Sequence, residues 1–110
     1  MRRLLIVEDD ITFALMLKTW LTRKGFEAET VSRVDAAQQR LEASDFSLVL
    51  TDMRLPDRDG IFLLQWIADN RPSLPAIVMT SYADIQTAVR SMKLGARDYV
   101  AKPVNPEELL

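Results

Sequence analysis

Short unbroken apolar runs, separated by amphipathic stretches, organise the chain. Leu4-Leu5-Ile6-Val7 is one such run, and it stops abruptly at Glu8-Asp9-Asp10; a parallel strand covered on both faces reads this way. From Ile11 to Lys24 the apolar residues Phe13, Leu17, Trp20 and Leu21 recur at helical spacing, and Gly25 stands where a left-handed C-cap belongs. Phe26 to Val31 alternates with polar residues as an edge strand does, and Ser32 is placed to N-cap a helix from Arg33 to Ala43. A third strand, Phe46 to Thr51, terminates at Asp52 and opens into Met53-Arg54-Leu55-Pro56-Asp57-Arg58-Asp59-Gly60, a loop rich in turn residues. The helix Ile61 to Asn70 is stopped by Arg71-Pro72, and the strand Ala76-Ile77-Val78-Met79 ends at Thr80-Ser81. A helix from Ala83 to Leu94 closes at Gly95, and the strand Asp98-Tyr99-Val100-Ala101 ends at Lys102-Pro103. Asn105-Pro106-Glu107-Glu108 has the cap, first-turn proline and acidic first turn of one more helix. The chain stops one turn into it, which reads as a boundary within a longer protein.

Five strands alternating with helices predict a single α/β domain over residues 1–110, a sandwich about a parallel sheet with its last helix truncated. In such a sheet every strand's carboxyl end lies along one edge, and ligands bind there where the strand order reverses. The strands end in Glu8-Asp9, Asp52, Thr80-Ser81 and Lys102. In the flavodoxin-like order 2-1-3-4-5 the reversal falls between the first and third strands, which brings Glu8, Asp9 and Asp52 to one crevice.

Composition narrows the chemistry available there. The 110 residues contain no histidine and no cysteine, which excludes zinc fingers, His-containing triads, disulfide scaffolds and thiol redox chemistry. Fourteen Lys and Arg against sixteen Asp and Glu leave a net charge of −2 with no basic stripe, so direct nucleic-acid binding is not expected. The apolar runs are too short for a membrane span or signal peptide, and a cytoplasmic location is the default. Trp20, Trp66 and the five methionines read most simply as core, and Tyr99 on its own as half-buried strand packing.

Carboxylates packed together repel, and one must keep its proton unless a cation joins them. Mg2+ resolves the conflict, since it takes one or two carboxylates together with waters and a substrate phosphate; Mn2+ could substitute. Asp52 is then a candidate nucleophile, its carboxylate attacking a phosphoryl group to give an aspartyl phosphate, with Lys102 and the Thr80 hydroxyl holding phosphoryl oxygens. Each residue alone has a plainer reading: Asp52 as a turn residue, Lys102 as a solvated loop residue, Thr80 as a helix cap. Acid, nucleophile, hydroxyl and cation falling together at strand ends on one edge favour the chemical reading.

Leu5-Ile6-Val7-Glu8-Asp9-Asp10, Thr51-Asp52-Met53-Arg54-Leu55-Pro56-Asp57-Arg58-Asp59-Gly60, Met79-Thr80-Ser81 and Tyr99-Val100-Ala101-Lys102-Pro103 resemble, in order and spacing, the receiver domains of bacterial two-component response regulators. The resemblance covers the whole chain. It implies that Asp52 accepts a phosphoryl group from a phosphohistidine on a cognate sensor histidine kinase, or from a small phosphodonor. It implies direct Mg2+ ligation by Asp9 and Asp52, a role for Glu8 mainly through water, and a further ligand in the backbone carbonyl of Arg54. Asp10 has no direct metal role in the pattern. Lys102 would pair with the phosphoryl group, and Lys102-Pro103 looks like the family's cis peptide. Thr80 and Tyr99 would form a switch pair, the hydroxyl moving to the phosphoryl group as the ring turns inward. The small Ser81 would leave access to the site, while Arg54 and Tyr82 would tune the entry of hydrolytic water. The surface of the fourth helix, fifth strand and last helix would report the state to a C-terminal output domain or a phosphorylation-dependent homodimer. Ala88 to Ala96 looks like receivers attached to transcription regulators. The implied activity is catalysis of the domain's own aspartyl phosphorylation and dephosphorylation, a signalling switch more than a metabolic enzyme.

Three other readings compete. A flavodoxin-type FMN binder needs a Ser/Thr/Gly phosphate loop after the first strand, where three acids stand instead. A haloacid-dehalogenase-type phosphatase carries both aspartates on the first strand's loop. A receiver-like interaction module that is not phosphorylated would be marked by loss of Asp9, Asp52 or Lys102, and all three are present.

Overall fold

The computed structural model describes residues 2–81 and 85–102. Five strands, β1 (Arg3–Val7), β2 (Glu27–Val31), β3 (Leu48–Asp52), β4 (Ala76–Thr80) and β5 (Asp98–Ala101), form one sheet in the order β2-β1-β3-β4-β5. Every pairing is parallel, as the alternation with helices requires. The helices are α1 (Ile11–Arg23), α2 (Val34–Ala43), α3 (Gly60–Asn70) and α4 (Ile85–Lys93). The predicted last helix, the start of the predicted fourth helix at Ala83, Tyr82 and the Lys102-Pro103 peptide lie outside or reach beyond the described residues.

Successive strand residues point to opposite faces, so each apolar run feeds two cores. On one face Leu5, Val7, Val49 and Val78 pack with Val34, Ala37 and Leu41 of α2 and Leu63, Leu64 and Ile67 of α3. On the other, Leu4, Ile6, Leu50, Ile77 and Met79 pack with Ala14, Leu17 and Leu21 of α1. β2 lies at an edge, as its polar alternation predicts. Glu29 on that strand bonds Arg3 at 2.7 Å and Arg40 at 2.8 Å, and both guanidiniums lie over the Phe46 ring. Charge along an edge strand discourages pairing with another sheet.

Three sequence expectations change. Ser32 does not cap α2: Arg33 occupies the cap position, and its side chain makes no capping hydrogen bond. The Asp57 carboxylate supplies the cap from across the fold, accepting from Val34 N and Asp35 N at 2.9 Å each. The third strand is shifted towards its carboxyl end, because Asp52 is still paired, with Met79 of β4, while Phe46 lies under the two arginines instead of in the ladder. Met16 and Met92 are exposed and only Met53 and Met79 are buried among the described methionines, since the first two fall on the outer faces of α1 and α4.

Gly60 opens α3 where that helix presses on the end of β3. A Cβ there would lie 2.7 Å from the Asp52 carbonyl oxygen and 3.0 Å from Met53 Cα, both backbone atoms, while Gly60 N donates to Met53 O at 2.6 Å. Gly25 (φ +93°) and Gly95 (φ +95°) instead serve the left-handed exits of α1 and α4. Replacing glycine by alanine in a helix ordinarily gains up to about 1 kcal/mol. Gly60→Ala is expected to reverse that sign, destabilising the domain by roughly 2 kcal/mol in urea denaturation, because fixed backbone has nowhere to move.

Candidate phosphoryl-transfer site

Parallel register assembles the acidic crevice. Val7 of β1 stands opposite Thr51 of β3, so Glu8 and Asp52, the next residues, leave the sheet side by side. Glu8 N continues the ladder by donating to Val31 O at 2.9 Å, which keeps its side chain at the sheet edge. Glu8 and Asp52 are 2% and 7% exposed, whereas Asp9 is exposed. One carboxylate oxygen from each of the three lies within 4.8 Å of the others. Opposite ligands on one Mg2+ are about 4.2 Å apart, twice the Mg–O distance. Cis ligands are about 3 Å apart, so side-chain movement within the crevice would draw these gathered oxygens onto one hard divalent ion, directly or through a bound water.

Lys102 completes the crevice from the far edge of the sheet. Its backbone N–H donates to Thr80 O at 2.9 Å, tying the residue after β5 to the end of β4. From that tether Nζ bridges two carboxylates, donating to Asp52 Oδ2 at 3.0 Å and closely to Glu8 Oε1. The ammonium also lies 4.7 Å from the centroid of the Phe13 ring, on the first turn of α1. Burial opposes the charge on Lys102, but its hydrogen bonds to Glu8 and Asp52 outweigh burial and raise its pKa. The remaining oxygens are held by backbone: Asp52 Oδ1 accepts from Met53 N at 2.7 Å, and Glu8 Oε2 from Asp10 N at 3.1 Å.

The sequence-predicted residues distribute as follows. Glu8, Asp9, Asp52 and Lys102 share the crevice. Arg54 follows on the adjoining loop as an exposed residue, its backbone N–H 3.4 Å from Asp52 Oδ1. Thr80 is fully buried at the end of β4, one residue beyond Met79, the partner of Asp52. Tyr99 packs at half-burial against the core beneath α2 and α3, its hydroxyl screened from solvent. Asp10 takes no part in the trio; its carboxylate caps α1 through Phe13 N at 3.1 Å. Two contributors were not singled out from sequence as site residues. Phe13 fitted the apolar stripe of α1, although its place one turn after the acidic triplet sets it over the strand ends. Asp57 looked like turn chemistry.

The chain belongs to the response regulator receiver domain family, whose model matches residues 4–110. It is 39% identical over 111 residues to the transcriptional regulatory protein GltR of Pseudomonas aeruginosa, a match covering 99% of this chain and 46% of GltR. The chain thus spans less than half of that curated relative. Among solved structures it is similar to a response regulator protein from Burkholderia pseudomallei with a phosphorylated aspartic acid, calcium ion and citrate. That likeness has a TM-score of 0.93 and 32% identity, covering 99% of this chain and 64% of that one. It is also similar to the response regulator TrrA from Thermotoga maritima in complex with Mg2+ and BeF, with a TM-score of 0.89 and 27% identity, covering 99% of this chain and 93% of that one.

Burial, reinforced by the Asp52 charge, pushes Glu8 up to about 7 from an ordinary 4.5, against the opposing pull of Lys102 and Asp10 N–H. A carboxyl whose pKa rises on folding binds its proton more tightly in the folded state. Its contribution is therefore fully present below pH 4.5 and is lost as pH rises to about 7. Glu8→Gln, which carries no charge to bury, is expected to unfold at the same urea concentration as the parent near pH 4. At pH 8 without divalent ions it should be more stable by on the order of 2 kcal/mol. Equal stabilities at pH 8 would show that burying the Glu8 charge costs nothing.

Proposed function

We propose that this receiver domain is a phosphorylation-activated switch in a two-component system and that Asp52 is its phosphoacceptor. The observation that carries the reading is the position of Asp52: a largely buried carboxylate at the end of a central strand, between two further carboxylates and the Lys102 ammonium. A carboxylate oxygen of Asp52 forms the new O–P bond as the bond from phosphorus to the donor breaks, releasing histidine from a phosphohistidine or acetate from acetyl phosphate. Asp9, Asp52 and the backbone carbonyl of Arg54 would hold Mg2+, with Glu8 acting through water. When bound, the ion neutralises phosphoryl charge and relieves repulsion in the crevice. Lys102 exchanges its carboxylate partners for a phosphoryl oxygen, and its tether at Thr80 O keeps it within reach. The phosphorylated aspartic acid of the Burkholderia pseudomallei protein, with its calcium ion, and the Mg2+ and BeF complex of TrrA support this assignment.

Thr80 and Tyr99 form the proposed switch. The added phosphoryl oxygens can shift an equilibrium only by interacting better with one arrangement than with another. A Thr80 hydroxyl drawn towards them is such a difference, and the half-buried Tyr99 on the adjacent β5 follows the space it leaves. α4 and β5 would carry the change outward; Ile85, Val89 and Met92 make an exposed apolar ridge on α4. The partner implied upstream is a sensor histidine kinase in the cytoplasm. Downstream, the likeness to GltR supports an attached output domain that controls transcription.

Intact-mass measurement after incubation with acetyl phosphate tests the assignment. One phosphoryl group should be gained with Mg2+ present, none after chelation, and none in Asp52→Asn. Lys102→Ala and Thr80→Ala should still accept the group but fail to transmit it to the α4 surface. Absence of any gain in the folded parent with Mg2+ present would replace the switch with an interaction module that is not phosphorylated.

A further inference from the structure

We infer that Asp57 is a positioning residue for the cation site: by capping α2 with its carboxylate it fixes the loop that presents Arg54. The inference rests on the metal-site reading above and extends it to a residue that touches neither ion nor phosphoryl group. The loop from Met53 to Gly60 is anchored firmly at its ends. Met53 N is held by Asp52 Oδ1 and Met53 O by Gly60 N, while Asp59 Oδ1 caps α3 through Phe62 N at 2.9 Å. Across the loop Arg54 pairs with Asp59 in an isolated antiparallel bridge, and two attachments of a different kind tie the middle to the rest of the fold. Leu55 packs against the core, and Asp57 reaches across 23 and 22 residues of sequence to Val34 N and Asp35 N.

The capped end is a rigid mount. Val34 is fully buried in the core, and the helix draws no side-chain cap from its own cap residue, Arg33. Both Asp57 oxygens are used, Oδ1 accepting from Val34 N and Arg58 N and Oδ2 from Asp35 N. Although burial works the other way, the backbone N–H groups of Val34, Asp35 and Asp57 itself, with nearby Arg33, hold the Asp57 carboxyl below the usual range, so the cap is anionic at neutral pH. The Arg54–Leu55 peptide lies between the end anchors and the Asp57 anchor. Its carbonyl direction depends on both, because the two backbone torsions on either side of a planar peptide are its only freedom. Without Asp57 the loop samples other arrangements, and binding is weakened by the fraction of molecules that leave the competent one.

The experiment is an NMR titration of this chain with MgCl2, following the Met53 and Arg54 amides, with amide hydrogen exchange at Val34 and Asp35 read alongside. Asp57→Ala is expected to bind Mg2+ about three- to tenfold more weakly, the range that loss of an N-cap represents. Exchange at Val34 and Asp35 should accelerate. Asp57→Asn, which keeps one acceptor oxygen, should fall between the two and covers the case in which the alanine variant does not fold. Leu41→Ala, which weakens the α2 core seven residues from the capped Val34, should leave Mg2+ affinity unchanged. Affinity within twofold of the parent in both Asp57 variants, or a loss in Leu41→Ala equal to that in Asp57→Ala, would overturn the positioning role. Absence of saturable Mg2+ binding in the parent would instead overturn the metal-site reading, and this inference with it.

Discussion

The parallel pairing of β1 with β3 forces two carboxylates to emerge together at the sheet edge, and the rest of the crevice answers that constraint. Glu8 and Asp52 are side by side because Val7 and Thr51 are in register, and neither can turn to open water while the strands stay paired. Among the described residues one ammonium stands with three carboxylates, so charge balance there is incomplete. Backbone N–H groups accept part of the burden, and the upward shift of the Glu8 pKa records what is left. A crevice in this condition gains more from a divalent cation than a solvated acidic patch does, because the repulsion that the ion removes is expressed at low dielectric.

The two acidic stretches divide their labour by helix geometry. Asp10, Asp57 and Asp59 are committed to the N-termini of α1, α2 and α3, where they satisfy backbone donors and oppose the helix dipoles. Glu8, Asp9 and Asp52 remain uncommitted to any helix and are the ones that converge. A sequence this acidic at two points thus builds the walls of its site and the site itself from one residue type. What separates the roles is whether a carboxylate meets the N–H groups of a helix start, its own or, for Asp57, one across the fold, or faces the crevice at the strand ends.

Strand ends were legible because parallel strands are apolar on both faces and change character abruptly, as at Val7–Glu8 and Met79–Thr80. The sheet order and the convergence of Glu8, Asp9, Asp52 and Lys102 follow from those boundaries together with the rule of strand reversal. Less legible were features that depend on distance in space. Ser32 has the right chemistry to cap α2, and nothing local reveals that Asp57, more than twenty residues away, takes the position. Phe13 matches the periodicity of a core residue, and its contact with Lys102 exists only because α1 begins where β5 ends. Helical period likewise left Met16 and Met92 indistinguishable from core until the faces of α1 and α4 were fixed.

Lys102 and Glu8 are 94 residues apart, almost the full span of the described chain. As a ribosome delivers the protein, β1 and β3, with their acids, are made long before the strand that carries their counter-charge. Contacts of such separation form late, since the intervening loop must close first. A sheet paired before β5 is added would gather two carboxylates without their lysine, and docking of that edge strand would end the imbalance. The same contact that balances the finished site thus also gives the last strand an electrostatic reason to join a sheet already built.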